Sequence, residues 1–251
     1  MAGGFFFDPM RLLIVGHGRM GRLVESLAPA RNHHVVAALD RASNAGGTAI
    51  SSGRFEPVDV AVDFSTAEAV SVNVPLLAAR GISIVIGTTG WQADEPRLRK
   101  IAAEAGIGVV ASANFSPGVQ IVQSLVELAA RRVSDRGDFG AWLHELHHAA
   151  KRDAPSGTAR LLLETLREAG VEAVDVSSTR AGSIPGTHTI GFDAPFETIT
   201  IEHTARDRAV FAAGALDAAE WVAGRRGWFS IRDVMGFADR PATSPSPGDV
   251  R

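Results

Sequence analysis

The sequence contains no cysteine. That excludes disulfides, thiolate catalysis, cysteine-held iron–sulfur clusters and cysteine-type zinc sites, and it fits a reducing compartment. A charge excess is also missing: 25 basic against 28 acidic residues leave a net charge of −3. Such a balance argues against general electrostatic binding to nucleic acid or to an anionic membrane. No apolar run approaches the ~20 residues of a membrane span. Phe5-Phe6-Phe7 is too short for a signal sequence and has no basic stretch before it. The expectation is a soluble, cytoplasmic protein. What is present, 45% hydrophobic and 21% charged in 251 residues, is ordinary globular composition with enough chain for a real core.

The first half alternates short apolar runs with helical patterns. Arg11–Val15, Val35–Leu39, Val58–Phe64, Ile82–Ile86 and Gly108–Ala111 read as strands. Helices follow from Met20, from Ser65 (with Glu68 completing a capping box) and over Glu95–Ala105. Strands this apolar are buried on both faces, so the pattern predicts a Rossmann-like, doubly wound parallel sheet. After residue 114 the pattern changes. Helices are expected over Pro117–Arg132, Ser156–Ala169 and Phe211–Gly224, with a short apolar run at Trp142–Leu146 and strand-like Val174–Ser177, His188–Phe192 and Thr198–His203 between them. That predicts a second, α+β unit with an open sheet. The proline-rich tail from Pro241 reads as disordered.

Gly16-His17-Gly18-Arg19-Met20-Gly21 is G-x-G-x-x-G between a strand and a helix. The first glycine permits the turn, the second lets backbone approach a pyrophosphate, and the third lets helix and strand pack closely. Asp40 ends the next strand roughly twenty residues on, where an acid can bond a ribose 2′-hydroxyl. Asp40 favours NADH, whereas the adjacent Arg41, or Arg19 in the glycine loop, can accept the phosphate of NADPH. Three loops lie at the carboxyl ends of the later strands: Phe64-Ser65-Thr66, Gly87-Thr88-Thr89-Gly90 and Ala113-Asn114-Phe115-Ser116. In such sheets ligands sit there.

His144-Glu145-Leu146-His147-His148 contains H-E-x-x-H, the pattern of helical zinc proteases. Pro155-Ser156-Gly157 soon interrupts the region, and a zinc protease leaves the dinucleotide array unexplained, so no metal is expected. The alternative uses His147, His148 and Lys151, followed by Ser156-Gly157-Thr158 opening a helix. Two imidazoles, an ammonium and free helix N–H groups can hold a carboxylate and supply a proton. Arg180, His188, His203 and Arg208 lie in the same half, and five of the eight histidines follow residue 140. A small anionic substrate is expected there.

The run from Glu145 to Ala159 closely resembles the E-x-H-H-x-x-K-x-D-A-P-S-G-T-A segment of the dihydrodipicolinate reductase family. The glycine loop, Gly87–Gly90, Ala113–Ser116 and Arg180-Ala181-Gly182 through His188 resemble that family in the same order. The resemblance implies NADH- or NADPH-dependent reduction of 4-hydroxy-tetrahydrodipicolinate, a cyclic dicarboxylate, in lysine and diaminopimelate biosynthesis. It implies a dinucleotide domain (1–114), a substrate and oligomerisation domain (115–210), and a segment returning to the first (211–240). It also implies a homotetramer. His147 is implied as general acid. Lys151, His148 and Ser156-Gly157-Thr158 are implied as carboxylate holders, with Arg208 as a further substrate or interdomain contact. The glycine loop is one residue shorter than the family's common form, and Thr187 stands where the family has Glu. The rival readings are another two-domain dehydrogenase and a dinucleotide sensor without turnover.

Overall fold

Five apolar runs of the first half form the parallel strands of a computed structural model that describes residues 8–237. The elements of the first unit are β1 (Arg11–Val15), α1 (Arg19–Leu27), β2 (His34–Leu39), α2 (Thr48–Ser52), β3 (Val60–Asp63), α3 (Ala67–Ala78), β4 (Ser83–Ile86), α4 (Glu95–Ala105) and β5 (Gly108–Ala111). The second comprises α5 (Pro117–Val133), β6 (Gly140–His147), α6 (Gly157–Glu168), β7 (Val174–Arg180), β8 (Thr187–Ala194) and β9 (Glu197–Thr204). The chain then runs through α7 (Ala209–Val222), β10 (Gly227–Phe229) and α8 (Ile231–Val234).

The first sheet has the order β10-β5-β4-β3-β1-β2, with every pair parallel. Its strand order reverses between β1 and β3, which is where such sheets open a ligand crevice. Alternate residues serve opposite faces. Leu12, Ile14, Val60 and Val62 pack with Ala212, Ala215 and Leu216 of α7, while Leu13, Val15, Ala61 and Ile84 pack with Val70, Val74 and Leu98 of α3 and α4. The last segment therefore docks on the first sheet. Arg31 bonds Asp217 at 2.6 Å and His33 meets Glu220 at 2.9 Å along that seam.

The second sheet has the order β7-β6-β8-β9, parallel between β6 and β7 and antiparallel elsewhere. Its inner face has a separate core, in which Leu143, Ile190 and Phe192 meet Val126 of α5 and Leu162 and Leu166 of α6.

Two details differ from the sequence reading. Thr66, not Ser65, caps α3, accepting from Ala69 N; Ser65 instead turns back to bond Asp63. A three-residue strand, β10, extends the first sheet beside β5. The H-E-x-x-H run lies on a strand and its end, not a helix, so alternation sends His144 outward, where it bonds Ser177, and His147 inward. The expectations for Phe5–Phe7 and for the tail from Pro241 fall outside the described residues.

Candidate active site

The glycine loop has the spacing a dinucleotide requires. Gly16 has φ +90°, and a Cβ there would lie 2.5 Å from the Phe64 backbone. Gly21 lies against the Gly16 carbonyl, with no room for a side chain. Around Gly18, by contrast, the space is open. No side chain caps α1, so its first-turn N–H groups remain available to an anion. Arg19, Arg22 and Arg208 border a pocket beside Gly18. Burial, then the charge of Arg19, holds the Arg208 guanidinium below its usual pKa. These residues fit a pyrophosphate. His17 is tied to Glu25 at 2.6 Å.

A cavity of about 630 Å³ joins the two units. Met20, Phe64, Gly87, Thr89, Ala113, Asn114 and Phe115 reach it from the first unit. His147, His148, Lys151, Ser156, Gly157 and Thr158 reach it from the second, and Arg208 borders both this cavity and the glycine-loop pocket. Asn114 Nδ2 donates to Thr158 Oγ1 at 3.1 Å, linking the two walls directly. Two expected cofactor contacts are partly committed elsewhere. Thr88 is turned inward, its hydroxyl 3.1 Å from Asp63 Oδ1. Asp40 uses Oδ1 to accept from Ala42 N and Ser43 N, closing its own turn.

Ser156 is the N-cap of α6, accepting from Ala159 N at 3.2 Å. Gly157 and Thr158 thereby present the helix N-terminus to the cavity. Lys151 Nζ lies 2.8 Å from Asp153. His147, at the end of β6, is buried but borders the cavity. Gly186 (φ +132°) gives its ring room, since a Cβ there would sit 3.1 Å from His147 Nε2.

Sequence reasoning missed the group beneath His147. Glu145 is fully buried. Its Oε1 accepts from Arg180 at 2.6 Å, Ser178 Oγ at 2.7 Å and Ser156 N at 3.1 Å. Its Oε2 lies 2.9 Å from His147 Nδ1, but the angle falls outside hydrogen-bonding geometry, leaving both atoms without a formal partner. His188 stacks edge-on to His147 with ring centroids 5.1 Å apart, and its Nε2 meets Ser156 Oγ at 2.9 Å.

Burial opposes the charge of Glu145, and Arg180, Ser156 and Ser178 overcome it, leaving its pKa at about 2. Burial, then the charge of His147, depresses His188 to about 4. His147 is also lowered, by burial first, with Glu145 pulling the other way. Among the described residues Glu145, His147 and His188 are the trio whose donor atoms lie within 4.8 Å of one another. Arg180 already answers the charge of Glu145, and Ser156 Oγ engages His188 Nε2, so two of the three are held by protein partners.

Residues 10–115 match the family model for the N-terminus of dihydrodipicolinate reductase, and 118–235 the model for its C-terminus. The 4-hydroxy-tetrahydrodipicolinate reductase of Christiangramia forsetii is 32% identical over 90% of this chain and 98% of its own. The protein of the same name from Archaeoglobus fulgidus is 35% identical over 90% of this chain and 100% of its own. The fold is also that of the dipicolinate-bound dihydrodipicolinate reductase from Paenisporosarcina sp. TG-14, at a TM-score of 0.72 and 22% identity, covering 88% of this chain and 97% of that one. Among the described residues no helix is long and apolar enough to cross a membrane. With both halves matched in order, the chain belongs to the dihydrodipicolinate reductase family.

Proposed function

We propose that His147 is the proton donor, and Lys151, His148 and the Ser156-Gly157-Thr158 turn the carboxylate holders, in the NAD(P)H-dependent reduction of 4-hydroxy-tetrahydrodipicolinate. The reaction class comes with the family: the protein is an NAD(P)H-dependent reductase of lysine and diaminopimelate biosynthesis. The observation that carries the residue roles is the shared cavity, whose one wall is the glycine-loop unit and whose other wall is the His147–Thr158 segment.

Gly16–Gly21 and the loops at Phe64, Gly87–Thr89 and Ala113–Phe115 would hold the nicotinamide cofactor, which would supply a hydride. The chain's residues do the rest. The α6 N-terminus and the Lys151 ammonium attract a carboxylate and fix the ring of the substrate. His147 Nε2 makes no hydrogen bond within the described chain and faces the Gly186 side of the cavity; once the substrate's 4-hydroxyl has left as water, it can deliver a proton to the carbon next to the hydride acceptor across the resulting double bond. The Asn114–Thr158 bond holds the two walls in register. Asp40 is a further cofactor contact in this reading: its Oδ2 remains for the adenosine ribose 2′-hydroxyl, which favours NADH over NADPH.

The second sheet supports a tetramer. Among the described residues only its inner face is covered by helices. The outer face carries Trp142, Leu146, Thr189 and Thr200, and the β8–β9 turn leaves Phe196 99% exposed. An open sheet with three eight-residue strands and an apolar turn calls for a partner. Light scattering should give four times the mass of the chain; a monomer at micromolar concentration contradicts this reading.

The decisive experiment is nicotinamide oxidation followed by absorbance, with freshly generated 4-hydroxy-tetrahydrodipicolinate and each cofactor in turn. Substrate-dependent oxidation is expected. Tight NADH binding with no substrate-dependent oxidation would instead indicate a sensor of the same fold.

A further inference from the structure

The structure assigns Glu145 as a positioning residue for the reduction: its carboxylate orients the His147 imidazole, favours its charged form, and ties it to the turn that receives the substrate carboxylate. The assignment rests on the reading of His147 as proton donor.

Alternation along β6 puts Ala141, Leu143, Glu145 and His147 on the inner face. A carboxylate among such neighbours is costly unless fully bonded. Ser178 and Arg180 stand opposite Glu145 and His147 in the β6–β7 register, and both donate to Oε1. Ser156 N, from the first residue of the carboxylate-binding turn, donates to the same oxygen. Oε1 is therefore saturated. A carboxylate present only to neutralise Arg180 would engage that guanidinium with both oxygens, the stronger fork arrangement. Here Oε2 is left over, 2.9 Å from His147 Nδ1 and 3.8 Å from His188 Nε2. A small rotation of the imidazole converts the closer approach into a charge-assisted hydrogen bond.

Every other group facing His147 bears on its charge. Arg180 from β7, Lys151 from the loop after β6 and burial disfavour the imidazolium, and Asp153 on that loop offsets them only in part. His188 faces it from β8 with a neutral ring at pH 7. Glu145 is the foremost influence in favour of the proton. A general acid works below its own pKa, so activity falls as pH rises through that value. Without the Glu145 charge, that fall must begin at lower pH. The carboxylate also spans the two halves of the chemistry: Oε2 faces the proton donor, and Oε1 holds the N-cap of α6, whose Gly157 and Thr158 line the cavity.

The test compares the pH profiles of kcat and kcat/KM for Glu145→Gln, Glu145→Asp and His147→Gln with those of the wild-type enzyme. Glu145→Gln should lower kcat by about 10–100-fold, the usual worth of a hydrogen bond to a charged group. Its alkaline limb should move to lower pH, with NADH affinity unchanged. Glu145→Asp should move the limb back toward wild type, because the charge returns. Wild-type limbs in a folded Glu145→Gln enzyme overturn the assignment while His147→Gln is impaired; a fully active His147→Gln enzyme overturns the proton-donor reading as well. Nitrogen NMR of wild-type His147 gives an answer independent of any variant. The neutral ring should carry its proton on Nδ1, facing Glu145; a proton on Nε2 overturns the assignment.

Discussion

The ends of β3 and β6 each bury a carboxylate completely, and the two behave in opposite ways. Asp63 accepts from Ser65 N and Oγ, Thr88 and Asn73, all uncharged donors, and burial pushes its pKa up. Glu145 is equally buried, yet Arg180 at 2.6 Å, with Ser156 and Ser178, holds its pKa at about 2. Burial alone does not decide the charge; the charge of the donors does. The consequence differs too. Asp63 pins the loops after β3 and β4, so that Phe64, Gly87 and Thr89 reach the cavity. Its work is architectural. Glu145 stands beside the His147 imidazole, which borders the cavity, and in the proposed reading its charge bears on the chemistry.

The largest effect expected at the β6 end is loss of His147, the proposed proton donor. His147→Gln should lower kcat by about 10²–10⁴, the scale of a positioned general acid, with little change in cofactor affinity. Lys151→Ala should act chiefly on KM, because a carboxylate contact is present in substrate and transition state alike. Steady-state kinetics on both variants, with circular dichroism as a folding control, separates the roles. Near-wild-type kcat in His147→Gln, where chemistry limits the rate, would mean that the proton comes from His148 or water.

Acid stability sharpens the comparison of the two carboxylates. The Glu145 pKa falls from 4.5 unfolded to about 2 folded. The unfolded chain then binds the extra proton in that window, so this stabilisation is present above pH 4.5 and is lost as pH falls toward 2. For Asp63 the folded pKa lies above 3.8, so the folded chain binds the extra proton and stability declines as pH rises through that window. Glu145→Gln should flatten the acid loss of Tm. Asp63→Asn should remove an opposing slope and leave the acid loss steeper. Identical pH dependence of Tm in both variants would mean that the two sites are electrostatically alike.

Much of this was legible in the sequence, for physical reasons that differ by region. Buried parallel strands are apolar on both faces, so β1 and β5 stand where their runs do. The short β10 has no periodic signal of its own; it is a strand because Gly227–Phe229 finds the open edge of β5. The cavity residues from His147 to Thr158 are close in sequence, and so are visible as a motif. The role of Glu145 depends on Ser178 and Arg180, brought opposite by strand register more than thirty residues away. Spacing along one strand cannot show that. Thr88 and Ser65 looked like loop residues facing a ligand, and the unmet need of a buried Asp63 turned both inward.

A third carboxylate, Asp40, extends the comparison to the surface, where the smallest effect is expected. It is exposed at the end of β2. The Ser43 backbone and hydroxyl bonds, opposed only by slight burial, hold its pKa below the usual carboxylate range, so it is charged at neutral pH. Oδ1 closes the turn through Ala42 and Ser43, which fixes the side chain without using Oδ2. A fixed, charged and half-free carboxylate suits a ribose 2′-hydroxyl and repels a 2′-phosphate. Solvent screens both effects, so Asp40→Ala should weaken NADH by roughly 2–10-fold, the worth of an ordinary hydrogen bond. It should leave NADPH unchanged or slightly improved, with Arg41 next to the site. The two cofactors must be compared by KM at several salt concentrations, since repulsion of a phosphate fades with ionic strength while a hydrogen bond fades much less. An equal loss for both cofactors would show that Asp40 serves only its turn. In that case its replacement would disturb the β2 end as a whole, and the choice between NADH and NADPH would have to be made by Arg41 and the glycine loop.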